Sequence, residues 1–308
     1  MSVRSLGTAE RLLHCGCIVG ESLIWDDRTS RLVWIDMLGH KIHLFDPITQ
    51  CHDTCDTPGM VTSIGMCGSG GYVVGLEKTV AVWRPGQEFE TLATIEPDRP
   101  ENRLNEGVVG PDGCFWVGTM QNNVGADGTP RDQTEATGQV WRIHPNGAAE
   151  QMLKAGFWLT NTIAWLGGRV VIGDTGRNTL FSFAQNTATG ALDDKRVFLA
   201  DYGSGLPDGS CTDQDSHLWN CRVVGGSEVL RLDNEGTPVA RVATPCSWPT
   251  SCVIGGPQMD TLFVTSARFT MTDNHLTDAP WEGDLFSFKL TGIKGHLHHR
   301  FGEAQTGG

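Results

Sequence analysis

A unit of roughly 40 to 50 residues recurs along this chain, and a period of that length decides the architecture before any local propensity does. Each copy is one supersecondary unit that can bury its apolar face only against its neighbours. The copies open near Ser22, Thr62, Glu106, Thr162, Gly209 and Ser251. Each begins with a short apolar strand, turns, and continues into a second strand rich in Val, Ile, Trp and Phe, as in SLIWDDRTSRLVWID, GVVGPDGCFWVGTM, TIAWLGGRVVIGDT and SCVIGGPQMDTLFVTSA. A third strand follows in most copies, visible as KIHLFDP, TVAVWRP, QVWRIHP, TLFSFAQ, EVLRLDN and DLFSFKL, each followed by Gly, Asn, Asp or Pro turn chemistry. No segment shows the periodicity of a long amphipathic helix. Six copies of a four-stranded antiparallel unit predict an all-β fold, a six-bladed β-propeller formed by residues 1–308 as one domain.

Within that domain the propeller is expected over residues 8–290 and a flexible, Gly- and His-rich tail over residues 291–308, including His296, His298 and His299. The segment Thr8–Val19 reads as a strand without a hairpin partner, and is assigned to complete the last blade and close the ring, which removes exposed sheet edges. Connections are short except around residues 121–138 and 267–283, two loops expected to cap one mouth of the channel. Six tryptophans in the repeated strand phase (Trp25, Trp34, Trp116, Trp141, Trp165 and Trp219) read as packing between blades, whereas Trp158 and Trp281 fall near the mouth loops and are candidates for stacking on a ligand.

Glycine supplies 39 of 308 residues, which suits many tight turns. A formal net charge of −13 argues against a nucleic-acid or anionic-membrane partner, since the dominant electrostatic term would be repulsive. A small, uncharged ligand is expected instead. No apolar run is long enough for a membrane span and the opening residues lack signal-peptide features, so a cytoplasmic location is expected, as a monomer or weak homo-oligomer. The ten cysteines are scattered, with no CxxC pair, and read as reduced, mostly buried thiols. Cys15 and Cys17 in HCGC read as strand alternation rather than as a soft-metal site.

In a propeller the innermost strand of each blade lines the channel, so equivalent positions of different copies converge. The copies place Glu21, Thr62, Asn105 with Glu106, Asn161, Asp208 and Thr250 at one phase, where hydrophobic residues would ordinarily stand. One divalent cation explains bringing two carboxylates and an amide oxygen together, because buried carboxylates without one repel each other. An all-oxygen set fits calcium, magnesium or manganese and is compatible with iron or zinc. Strand alternation points Glu106 away from the channel, so it is left out of the set.

The segments GESLIWD at 20–26, NRLNEGVVGPDGCFWVGTM at 102–120, LTNTIAW at 159–165, LPDGSC at 206–211 and PTSCVIGGPQMDTLFVTSA at 249–267, in this order, resemble the senescence-marker-protein, gluconolactonase and luciferin-regenerating-enzyme family, to which regucalcin-type sugar lactonases belong. The resemblance implies Glu21, Asn161 and Asp208 as metal ligands and Arg103 and Asn105 as substrate contacts. A further family carboxylate after the GTM segment is missing, because the chain continues Met120, Gln121, Asn122, Asn123.

These readings imply metal-dependent hydrolysis of a sugar lactone with a five- or six-membered ring, Asp208 acting as general base and Arg103 or Asn105 helping to hold the oxyanion. The rival readings are hydrolysis of other esters or phosphotriesters on the same metal, and a non-enzymatic metal-binding scaffold. Arg103 has a competing structural reading as an ion-pair partner of Glu101 or Glu106, and Asp174 could serve either a turn or the site.

Overall fold

A computed structural model describes residues 3–125, 127–186 and 188–304 of the chain. Its strands form six small sheets of four or five strands each. The innermost strands are Gly20–Asp26, Val61–Met66, Asn102–Val109, Thr160–Leu166, Leu206–Thr212 and Pro249–Gly255. Each packs against the innermost strand of the next blade, and the sixth against the first, which closes a six-bladed ring. A long, largely apolar strand set with short turns has few other ways to bury both faces of every sheet.

The expected single strand over Thr8–Val19 is two short strands. Glu10–Leu13 pairs antiparallel with Leu285–Lys289 and forms the outer edge of the sixth blade, as the ring-closure reading requires. Arg4–Thr8 pairs parallel with Pro238–Ala243 and becomes a fifth strand of the fifth blade. Residues 14–18 are irregular, with Gly16 at φ +57, so HCGC does not alternate as a strand would. The positive φ at Gly16 turns the chain between Cys15 and Cys17.

Packing between blades relies on the second strands. Trp34, Trp116 and Trp219 are fully buried there, and each indole N–H has an acceptor: Sγ of Cys17 at 3.5 Å, Asp112 at 3.2 Å and Oδ2 of Asp213 at 2.9 Å respectively. The cysteines are unpaired as expected, and six of the ten are buried.

All six innermost strands carry a register break at the same phase. It falls between Glu21 and Ile24, Val61 and Ser63, Leu104 and Gly107, Asn161 and Ile163, Pro207 and Ser210, and Pro249 and Cys252. A β-bulge inserts residues that have no partner across the ladder and re-aims their side chains. Six bulges in a ring therefore crowd unpaired side chains about the axis, at the residues that opened each repeat.

The two long loops lie at the mouth nearest these bulges, because the strands that precede them end opposite Asn102 and Pro249. The second loop carries the short helix Asp273–Asp278, capped by Thr272. At the other mouth the C-terminal segment, read from sequence as a flexible tail, is packed rather than trailing. Gly295 bridges to Asp213 and Phe301 to Cys67, and Phe301 is buried. Main-chain bridges and the Arg300–Asp27 ion pair at 2.8 Å hold it, interactions that apolar periodicity does not announce. Residues 305–308 of that stretch lie outside the described residues.

Candidate metal centre in the channel

Below the bulges the channel widens into a cavity of about 310 Å³ lined by residues of all six innermost strands, among them Ser22, Glu106, Ser210 and Ser251, and floored by His296, His298 and His299. Glu106 on its lining forms an acidic ring with Glu21 and Asp208. Burial raises the pKa of Glu21 to about 8, with the charge of Glu106 adding to the shift. Burial also raises Glu106 to about 7. Asp208 is raised by burial and then by the charges of Glu21 and Glu106. These groups therefore sense one another across the axis.

Asp208 is held by its main chain. Its carbonyl accepts from Thr162 Oγ1 and from Asn220 Nδ2, and Oδ1 of its carboxylate is buried with no hydrogen-bond partner. Gly209 follows because a Cβ there would lie 2.8 Å from the carbonyl oxygen of Thr250 in the next blade.

The amide of Asn161 is oriented by a relay. Thr175 Oγ1 donates its one proton to the carbonyl of Pro207 at 2.7 Å, so it can only accept from Nδ2 of Asn161, 2.9 Å away. This turns Oδ1 of Asn161 toward the channel side, where it accepts from Asn105 Nδ2 at 3.0 Å. Asn105 spends its second amide proton on the carbonyl of Thr160 at 2.8 Å.

Arg103 is buried and its pKa is lowered to about 10 by that burial. It pairs with neither Glu101 nor Glu106; Glu101 pairs with Arg131 instead. Nη1 donates to the carbonyl of Leu104 and to Oδ1 of Asn105 at 2.7 Å, and Nη2 donates to Oδ1 of Asn123 at 2.8 Å. The amide of Asn123 thus stands against Arg103 in the stretch where the sequence lacks a carboxylate.

The same-phase reading brought together Glu21, Asn105, Asn161 and Asp208, and the structure places all of them at the bulges. It adds Glu106, which strand alternation had turned outward; the break between Leu104 and Gly107 cancels that alternation. The small Gly107 directly after Asn105 and Glu106 is the one sequence sign of it. The other positions in the phase are structural or idle: Thr250 Oγ1 donates to the carbonyl of Gly20, and Thr62 Oγ1 has no partner. Asp174 accepts from the backbone N–H groups of Trp158 and Leu159 and pairs with Arg177, a turn role. Trp281 lies under the guanidinium of Arg11 on the outermost strand of the sixth blade, away from the axis. Trp158 stays at the mouth, its carbonyl accepting from Gln133 of the first long loop.

Whether these residues fit a cation can be read from their charges. Among the described residues no Lys, Arg or His forms an ion pair with Glu21, Glu106 or Asp208. Crowded carboxylates without an ion-pair partner are disfavoured, and the orphaned, buried oxygen of Asp208 and the oriented amide oxygen of Asn161 are donors of the kind a hard cation takes. The residues fit.

The fold and this ring of oxygen donors define a class of propeller with an axial acidic site. The chain belongs to the SMP-30/Gluconolactonase/LRE-like family, whose model matches residues 19–268. Among its relatives, regucalcin of Xenopus laevis is 28% identical over 283 residues, covering 90% of this chain and 92% of that protein. A 6-deoxy-6-sulfogluconolactonase of Pseudomonas putida is 29% identical over 278 residues, covering 89% and 91%. The crystal structure of a calcium-binding regucalcin from Agrobacterium tumefaciens superposes with a TM-score of 0.88 at 24% identity, over 97% of this chain and 99% of that one, a likeness of fold. No helix among the described residues is long and apolar enough to cross a membrane.

Proposed function

We propose that this chain is a metal-dependent lactonase that opens a sugar lactone to the corresponding acid, with Glu21, Asn161 and Asp208 as metal ligands. The observation that carries the reading is the orphaned Oδ1 of Asp208, buried beside carboxylates with which no described basic side chain forms an ion pair. Family membership and the lactonase among the relatives support it. A divalent cation held there supplies Lewis-acid chemistry, polarising a carbonyl and making water more acidic.

The chain's own groups divide the remaining work. Asp208 takes a proton from the attacking water as the carbon–oxygen bond forms at the lactone carbonyl. The tetrahedral oxyanion faces the donors that Arg103 has not committed, the Nε–H and one N–H of Nη2. Collapse breaks the ring carbon–oxygen bond, and Asp208 returns its proton to the departing ring oxygen, leaving a hydroxy acid. Asn105 plays a different part. With both amide protons spent, it offers only the second lone pair of Oδ1, an acceptor for a sugar hydroxyl rather than a donor to the oxyanion.

Acid release from aldonolactones of both ring sizes, with spontaneous opening subtracted, measured beside phosphotriester hydrolysis, tests this reading. Turnover of lactones is expected. Phosphotriester turnover without lactone turnover would overturn it in favour of the rival ester chemistry.

A further inference from the structure

The proposed lactonase site lies on the axis. A second group of metal-binding side chains lies at the closing seam of the ring, where the irregular link from the sixth blade enters the first. Cys17, Asp36 and His43 are all buried there, and their ligand atoms lie within 4.8 Å of one another. Sγ of Cys17 is 3.8 Å from Nε2 of His43. Two ligands of a tetrahedral zinc, one sulfur and one nitrogen, stand about 3.5 Å apart, so this pair is already near ligating distance.

Each member is aimed by something else. Nδ1 of His43 faces Nε2 of His52 at 2.9 Å, the kind of partner that fixes the ring of a ligating histidine and leaves its other nitrogen free. Both rings stack on Trp34, at centroid distances of 4.7 and 5.6 Å. The indole of Trp34 donates to Sγ of Cys17 at 3.5 Å and fixes the sulfur's position, while the contact with Cys15 and burial keep the metal-free sulfur as a thiol.

Asp36 accepts from the N–H groups of Val19 and Gly39 at Oδ1 and of Ile18 at Oδ2, each at 3.0 Å. Two lone pairs per oxygen leave one unused, on Oδ2, so the carboxylate can coordinate without losing a hydrogen bond. The thiol of Cys15 contacts Cys17 but donates to the carbonyl of Gly283 at 3.3 Å and does not belong to the group of three.

We propose that Cys17, His43 and Asp36, with water in the fourth position, form a second site for a borderline cation of the zinc class, which staples the closing link of the ring to the first blade. Its sulfur donor separates it in chemistry from the all-oxygen axial site. On binding, Cys17 releases its thiol proton to solvent and the metal takes its place.

Cobalt(II) titration of the reduced, metal-stripped full chain tests this. The near-ultraviolet thiolate-to-cobalt band should rise to saturation at one equivalent, vanish in Cys17→Ser, and persist in Asp208→Asn. Zinc should raise the melting temperature of Asp208→Asn, in which the axial site is disabled, but not of the double variant Cys17→Ser/Asp208→Asn. If Cys17→Ser does not fold, His52→Gln gives the answer: loss of the partner ring should weaken cobalt binding about tenfold or more. No thiolate band in the folded wild type, a band that survives in Cys17→Ser, or unchanged affinity in His52→Gln would overturn the proposal. Lactone turnover plays no part in these readouts, so the two sites succeed or fail separately.

Discussion

Asn105 donates through Nδ2 to Oδ1 of Asn161, 3.0 Å across the seam between the third and fourth blades. One residue proposed to contact substrate therefore holds the amide proposed to bind metal. Asn105→Ala should leave the fold intact, since the bulge and ladder are main-chain features, yet free Oδ1 of Asn161. Partners that orient a ligand are worth about tenfold to a hundredfold in affinity or activity. A loss of that size in both metal affinity and kcat/KM is expected; a change confined to KM would mean Asn105 acts on substrate alone.

Removing a carboxylate from the ring should separate activity from stability. Asp208→Asn deletes the proposed base and lowers kcat about a hundredfold to ten-thousandfold. It also removes one of three carboxylates that repel each other, so without metal the variant should melt higher than the wild type, by about 2–4 °C for each kcal/mol gained. Steady-state kinetics check the first half, and thermal melts in chelator and in excess divalent metal check the second: the wild type gains on metal addition more than the variant does. A variant less stable than the wild type in chelator would contradict the charge argument.

The first long loop is tied down at Gln121. Oε1 accepts from the backbone N–H groups of Thr134 at 2.6 Å and Glu135 at 3.1 Å, and Nε2 donates to Thr134 Oγ1 at 3.0 Å. Gln121→Ala should loosen the mouth without touching the acidic ring. Steady-state kinetics should show KM raised several-fold with kcat within about twofold, the pattern of lost uniform binding. A fall in kcat at constant KM would place the loop in the chemical step.

His298 gives the C-terminal segment a pH signature. Burial lowers its pKa to about 4 from 6.5, with His299 and His296 adding to the shift. Above the unfolded value neither state is charged, and the contribution is fully present. As pH falls from there toward about 4, the unfolded chain takes a proton that the native state refuses, so stability is lost with acidification. The melting temperature of His298→Gln should fall less between about pH 7 and pH 5 than that of the wild type. Parallel curves would show that the ring takes its proton freely.

How much of this was legible in the sequence depends on what recurs. The blade count and the phase of Glu21, Asn161 and Asp208 could be read because each copy repeats both its strand pattern and its bulge. Glu106 could not, because alternation presumes an unbroken pleat and the pairing of Leu104 and Gly107 skips two residues. The packing of Gly295 to Phe301 escaped notice because few apolar side chains mark it. Trp281 misled for another reason: the direction in which a long loop folds is set by its tertiary contacts, here with Arg11. The approach of Cys17 to His43 links a loop before the first blade to that blade's third strand, and no spacing rule connects them.

The central claim is that a divalent metal held by Glu21, Asn161 and Asp208 drives lactone opening. The most direct measurement is catalysed acid release from a sugar lactone by protein stripped of metal and then restored with calcium, magnesium, manganese or zinc in turn. Stripped protein should fall to the spontaneous rate and recover with at least one of these ions, while Asp208→Asn recovers at most about a hundredth of that rate. Full turnover by stripped protein, or turnover restored to the wild-type level in Asp208→Asn, would contradict the account.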